Sequence, residues 1–118
     1  MKPDRDDLNA ILSIGDEATR CEKGETLQAA LAKTRYRELR HCFGIADLIP
    51  MIRENTSFVQ VWIHYSEDKR TSHGFWLDPT SFKVGSMEPG THAVDHQSIE
   101  EAVANYVVQE LDFWSSRD

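Results

Sequence analysis

The chain is short of cysteine, glycine, proline, long apolar runs and positive charge, and each shortage removes a class of protein. Cys21 and Cys42 are the only cysteines in 118 residues. Two cysteines make no disulfide framework, and no C-x-x-C pair or Cys/His spacing suggests zinc. They read as two reduced thiols. Six glycines and four prolines exclude collagenous and low-complexity chains. The uninterrupted apolar stretches are a few residues long, far short of a membrane span. The opening MKPDRDDLNA carries five charges and no apolar core segment, so it does not read as a signal peptide. The expected location is the cytoplasm. Thirteen bases stand against twenty acids, a net charge of −7. That balance disfavours nucleic acid and anionic membranes, which would repel the chain, and permits a basic protein partner. There is no GxGxxG, no GxxxxGK[ST] and no GxSxG, so nucleotide loops and the hydrolase elbow are unsupported.

What is present suits one globular domain over residues 1–118, with 40% apolar and 28% charged residues. Residues 4–20 read as a helix, with Asp4, Asp6 and Asp7 in its first turn and Leu8, Ile11, Leu12 and Ala18 in a stripe weakened by Gly15. A second helix runs from Thr26 to about Cys42, with Gly44 as its C′ residue. A third covers 46–54, with Pro50 expected in its first turn. From Ser57 the period shifts to two. In FVQVWIHY (58–65), Val59, Val61, Ile63 and Tyr65 alternate with Phe58, Gln60, Trp62 and His64, which predicts a strand. Phe75–Leu77 and 81–87 supply two more strands around the turn Asp78-Pro79-Thr80-Ser81, and 88–97 reads as a loop. Ser98 and Glu101 then have capping-box spacing before an apolar stripe of Ile99, Ala102, Val103, Tyr106, Val107 and Leu111. The expected fold is α+β: N-terminal helices, a three-stranded antiparallel meander, and a C-terminal amphipathic helix packed on the sheet.

Three stretches carry candidate functional groups. In HYSEDKRTSHGFWL (64–77), the predicted hairpin tip holds Glu67, Asp68, Lys69 and Arg70 in solvent, as a self-neutralising tip or as a recognition loop. Trp62, Phe75 and Trp76 behind it would supply an aromatic anchor, since few helices cannot cover both faces of the sheet. His64 and His73 would face one another across the hairpin as an acid/base pair, though no third group is specified. His92, Asp95 and His96 in THAVDH lack helical geometry for a metal. KTRYRELRH (33–41) is the one basic run, at net +3. It reads as a solvated face whose bases pair with acids elsewhere. Residues 88–118 hold seven acids and one base, with Glu100, Glu101 and Asp112 among the acids an interface would use.

In size, acidity and layout the chain resembles the bacterial immunity proteins that neutralise a cognate toxin, such as those of contact-dependent inhibition systems. That resemblance implies a tight one-to-one complex with a toxin nuclease whose basic cleft the acidic protein blocks. From the residues themselves, with their poor ligand spacing and missing nucleotide loops, no metal and no cofactor are expected. The expected partner-binding residues are Trp62, Glu67, Asp68, Lys69, Arg70, Trp76, Glu100, Glu101 and Asp112. The competing readings are a small histidine-dependent enzyme, a phage- or plasmid-type inhibitor, and a regulator that forms a homodimer through its meander edge.

Overall fold

A computed structural model describes residues 3–19, 27–67 and 73–116, and shows an α+β domain. Its C-terminal helix packs on a three-stranded antiparallel sheet, as the sequence predicts. The elements are α1 (Arg5–Leu12), α2 (Ile14–Thr19), α3 (Leu27–Ala32), α4 (Tyr36–Leu39), a 3-10 turn (Arg40–Cys42), α5 (Ile45–Glu54), α6 (Ser57–Glu67), β1 (Phe75–Asp78), β2 (Lys83–Ser86), β3 (Val94–Asp95) and α7 (Ile99–Ser115).

The main correction concerns residues 58–65, which form helix α6 and not the first strand of the meander. The buried positions are Phe58, Val59, Trp62 and Tyr65, a helical stripe, while Gln60, His64 and Glu67 face solvent. Apolar residues of both parities fit either period, and the β-branched and aromatic content favours strand until packing decides. The missed signal is Asn55-Thr56-Ser57. The Asn55 side chain accepts from the Ser57 amide at 3.3 Å and hydroxyl at 2.6 Å, as a helix start requires. The third strand is instead β3, inside the stretch expected to be loop. β2 pairs antiparallel with both neighbours, with Leu77 opposite Val84 and Val84 opposite Val94. Phe82 takes left-handed backbone (φ 59°), uncommon for a bulky residue. Its ring packs on the core and its carbonyl accepts from the His96 amide at 2.9 Å, which holds β3 beside β2.

The expected long helices are broken, each for a local reason. Ser13 ends α1, its hydroxyl donating to the Asn9 carbonyl at 2.8 Å. Thr34 closes α3 by donating to the Leu31 carbonyl, and its oxygen receives the Tyr36 amide at the start of α4. Gly44 is not a C′ residue. It is the N-cap of α5 in extended backbone, with its amide donating to Asp47 at 2.8 Å. Because α5 therefore starts at Ile45, Pro50 falls in the second turn, on the exposed side with Ala46, where water can serve the carbonyl that Pro50 cannot.

Helix α7 is the centre of the molecule. It packs against α3, α5, α6 and two strands. Ala102, Val103, Ala104, Tyr106, Val107, Val108, Glu110 and Leu111 are all buried, a wider face than its predicted stripe. Trp62 is fully buried across the α1–α2 break, where its indole N–H donates to the Leu12 carbonyl at 2.8 Å. A carbonyl freed by the helix end is thus satisfied inside the core. Gly15 makes room for it: a Cβ there would lie 3.0 Å from the Trp62 ring. Helix propensity alone favours alanine over glycine by about 1 kcal/mol. The contact predicts the opposite sign, so Gly15→Ala should lower stability by about 1–3 kcal/mol as overpacking does. Urea denaturation followed by tryptophan fluorescence checks this; an unchanged or raised midpoint would show the approach to be loose.

Candidate functional site

The buried polar centre of the fold is Glu110, which has no solvent exposure. Its Oε2 accepts from the Tyr65 hydroxyl at 2.7 Å and from the Trp114 indole at 3.0 Å, and its Oε1 accepts from the Phe75 amide at 2.8 Å. α7 thus meets α6 and β1 at one carboxylate. Trp62, Tyr65 and Tyr106 form an aromatic cluster beside it, with centroids 5.5–6.4 Å apart. Tyr106 Oη is buried without a hydrogen bond, although Ser66 lies close enough to act on it. The sequence reading missed Glu110. Its signal was an acid four residues after Tyr106 and three after Val107, on the apolar stripe itself.

Two of these donors, Phe75 N–H and Trp114 Nε1–H, cannot accept. An amide placed at 110 would therefore aim its NH2 at one of them in either orientation. Glu110→Gln should cost about 1–3 kcal/mol, and Glu110→Ala on the order of 3 kcal/mol or more, because all three donors lose their acceptor. Chemical denaturation gives the magnitudes, and hydrogen exchange at the Phe75 amide reports the local loss. Wild-type protection of that amide in Glu110→Ala would contradict the assignment.

A second cluster anchors the other end of α7. Asp112 receives Arg40 through two nitrogens, at 2.7 and 3.0 Å, and the Tyr36 hydroxyl at 2.6 Å. The Arg40 guanidinium also lies 5.6 Å from the Phe43 ring centroid. Gln28 donates to the Trp114 carbonyl and Arg37 to the Ser115 carbonyl, which serves the end of the helix. Arg35 pairs with Glu38 and with Asp7. The arginines of the 33–41 run are thus held within the chain, as expected of bases that pair with acids elsewhere.

The chain's three tyrosines, Tyr36, Tyr65 and Tyr106, are all buried. Burial raises each pKa above its ordinary value near 10, with Asp112 adding to the effect at Tyr36 and Glu110 at Tyr65 and Tyr106. The folded value exceeds the unfolded one. The stabilising contribution is therefore complete below pH about 10 and is lost as the pH rises beyond it. A spectrophotometric titration should show no tyrosinate until the protein unfolds in alkali, and then all three together. A tyrosine ionising near pH 10 in protein with native circular dichroism would place its ring in solvent.

The residues expected to bind a partner are scattered. Trp62 is core, not an anchor at the surface. Glu67 is exposed on the last turn of α6, and Asp68, Lys69 and Arg70 lie outside the described residues. No hairpin brings His64 and His73 together, since His64 stands exposed on α6 and His73 precedes β1. Asp112 is half-exposed and accepts from Tyr36 and Arg40. Glu101 is half-exposed and lies 3.2 Å from His96 Nδ1, and its own amide is capped by Ser98. Glu100, beside it, is half-exposed. His92 is exposed, and among the described residues no three His, Cys, Asp or Glu side chains gather as a metal site. No helix among them is long and apolar enough to cross a membrane.

Phe75 and Trp76, two of the expected aromatic anchors, are both part-exposed on β1, but Phe75 packs against the core and Trp76 lies on the other face of the sheet. Leu77 and Val84 are buried on the α7 side, so Trp76, Asp78, Lys83, Gly85 and Asp95 share the opposite face. Trp76 is paired with Gly85, and its indole N–H donates to the Ser86 carbonyl at 3.2 Å. The free edge of β1 is closed: the Phe75 amide goes to Glu110, and the Leu77 amide to Ser66 Oγ at 3.1 Å. No protein-family model, curated protein or solved structure matches this chain.

Proposed function

We propose that the chain is a non-catalytic binding protein for a basic protein partner, of the immunity type that blocks a cognate toxin, with a nuclease as the expected target. The observation that supports this reading is how the charges are divided. Arg35, Arg37 and Arg40 are engaged within the chain by Asp7, Glu38, Ser115 and Asp112. Asp6, Glu17, Glu67 and Glu88 are exposed and Glu100 half-exposed, with no ion pair among the described residues. The excess of acids over bases, a net charge of −7, is thus carried by solvated carboxylates at the surface, which would speed association with a basic cleft and fix its register. Asp112 also holds the fold through both its oxygens, so its substitution reports on stability as well as on contact.

The test is recovery of the partner from the source cells, its identification, and titration of its activity with the pure chain. A stoichiometric block of a basic nuclease is the expected result. Glu67→Gln, Glu88→Gln and Glu100→Gln together should slow association several-fold and flatten its salt dependence, with the denaturation midpoint unchanged. Asp112→Asn is the contrasting control and should lower stability by about 1–3 kcal/mol. A neutral or acidic partner, or an association rate indifferent to salt and to the triple change, overturns the reading.

A further inference from the structure

We propose that the open face of the sheet receives an arginine side chain of the protein partner, stacked on Trp76 and paired with Asp95. The proposal rests on the binding-protein reading above and names its contact. Trp76 is held ready: a Cβ at position 85 would come within 2.4 Å of its ring, so the indole lies against Gly85 and its N–H is tied to Ser86. Trp76 as a whole is part-exposed. Continuing the β2–β3 register by one residue places Ala93, small and exposed, beside Gly85, so nothing bulky crowds the indole from β3.

The next row on the same face is Asp78, Lys83 and Asp95. Asp78 is occupied by its own turn, accepting from the Thr80 and Ser81 amides and the Ser81 hydroxyl. Asp95 is different. Its side chain is 75% exposed, and its cation, Lys83 Nζ, stands 3.9 Å away at the limit of an ion pair. Asp95 is therefore the carboxylate with room for a second donor. A planar guanidinium can stack on an indole and donate along its edge at the same time, which an ammonium does less well.

The chain already builds this arrangement once with its own residues. Arg40 lies against Phe43 and is gripped by both oxygens of Asp112. The sheet face offers an aromatic ring and a carboxylate in adjacent rows, without an arginine of the described residues between them. The overall acidity draws a cationic group toward it.

The test is an amide and indole NMR titration of the full chain at low ionic strength, with a blocked arginine-rich peptide and its lysine counterpart. The Trp76 indole signal, assigned through Trp76→Phe, and the Gly85 and Asp95 amides should shift saturably with the arginine peptide. The lysine peptide should bind about two- to fivefold more weakly. Asp95→Asn should weaken the arginine peptide several-fold and Lys83→Gln should tighten it, both being exposed changes that leave the fold intact. Equal response to both peptides, shifts confined to other surfaces, or no effect of either variant overturns the proposal. A Trp76 shift driven by concentration of the chain alone would make the occupant a second copy, and also overturns it. If a basic partner is recovered whose affinity ignores Asp95→Asn and Lys83→Gln, this contact fails and the binding-protein reading stands. If the arginine response appears but no basic partner exists, the reading fails and the site stands.

Discussion

A single buried carboxylate fixes the relation between the helices and the sheet. The sheet is small: β1 and β2 are four residues each and β3 is two. Strands this short do not hold themselves together in water. They are stable here because Leu77 and Val84 lie under α7 and because the backbone of β1 is bonded from outside by Glu110 and Ser66. Removing a carboxylate from water costs several kcal/mol, so a buried glutamate is a poor device for raw stability. It is a good device for position. Three donors from α6, α7 and β1 can converge on Glu110 in one way only, whereas an apolar core would permit small shifts of β1 along α6.

The other end of α7 follows a related logic, and it determines the surface. Asp112, the Trp114 carbonyl and the Ser115 carbonyl take donors from Tyr36, Arg40, Gln28 and Arg37. These bonds clamp α3 and α4 to the last turns of α7, where cations also suit the helix dipole. Arg35, Arg37 and Arg40 have partners within the chain, while Asp6, Glu17, Glu67 and Glu88 stand in solvent without an ion pair among the described residues. The acidic exterior is set by the excess of twenty acids over thirteen bases, and the lock of the helical half decides which of those acids remain in solvent.

What was legible in the sequence follows from which signals compete. α7 could be read because Ser98 and its apolar stripe agree with one another at every position. Phe75–Asp78 and Lys83–Ser86 could be read because turn residues with a clear role bracket them, Asp78 binding Thr80 and Ser81. Residues 58–65 could not, because nearly every position is apolar or aromatic and both periods fit. Packing of Trp62 against Gly15 and Leu12 settles that segment as a helix, and no local pattern encodes a contact fifty residues away. The same long-range dependence hid the site. Trp62 looked like an anchor only while it belonged to a strand, and Asp112 looked available only while its partners, Tyr36 and Arg40, were remote in sequence.

A small sheet can take a partner at an edge or on a face, and among the described residues the face is the less hindered of the two. Adding a strand to β1 requires donors that point outward, and those of Phe75 and Leu77 already serve Glu110 and Ser66. A partner strand there would have to break the bonds that position the sheet. β3 is too short, at two residues, to template much of a ladder. The face over Gly85 needs no such disruption. Trp76 is already oriented by Gly85 and Ser86, so little side-chain entropy remains to be lost on contact. Asp95 is solvated and lies on the same face in the next row, where a partner's cation could add a charged bond. Natural anchors in interfaces are rigid aromatic side chains with a polar neighbour. Trp76 meets that description because the residue beneath it is glycine; with a side chain at 85 the indole would be pushed off the sheet and lose its fixed pose.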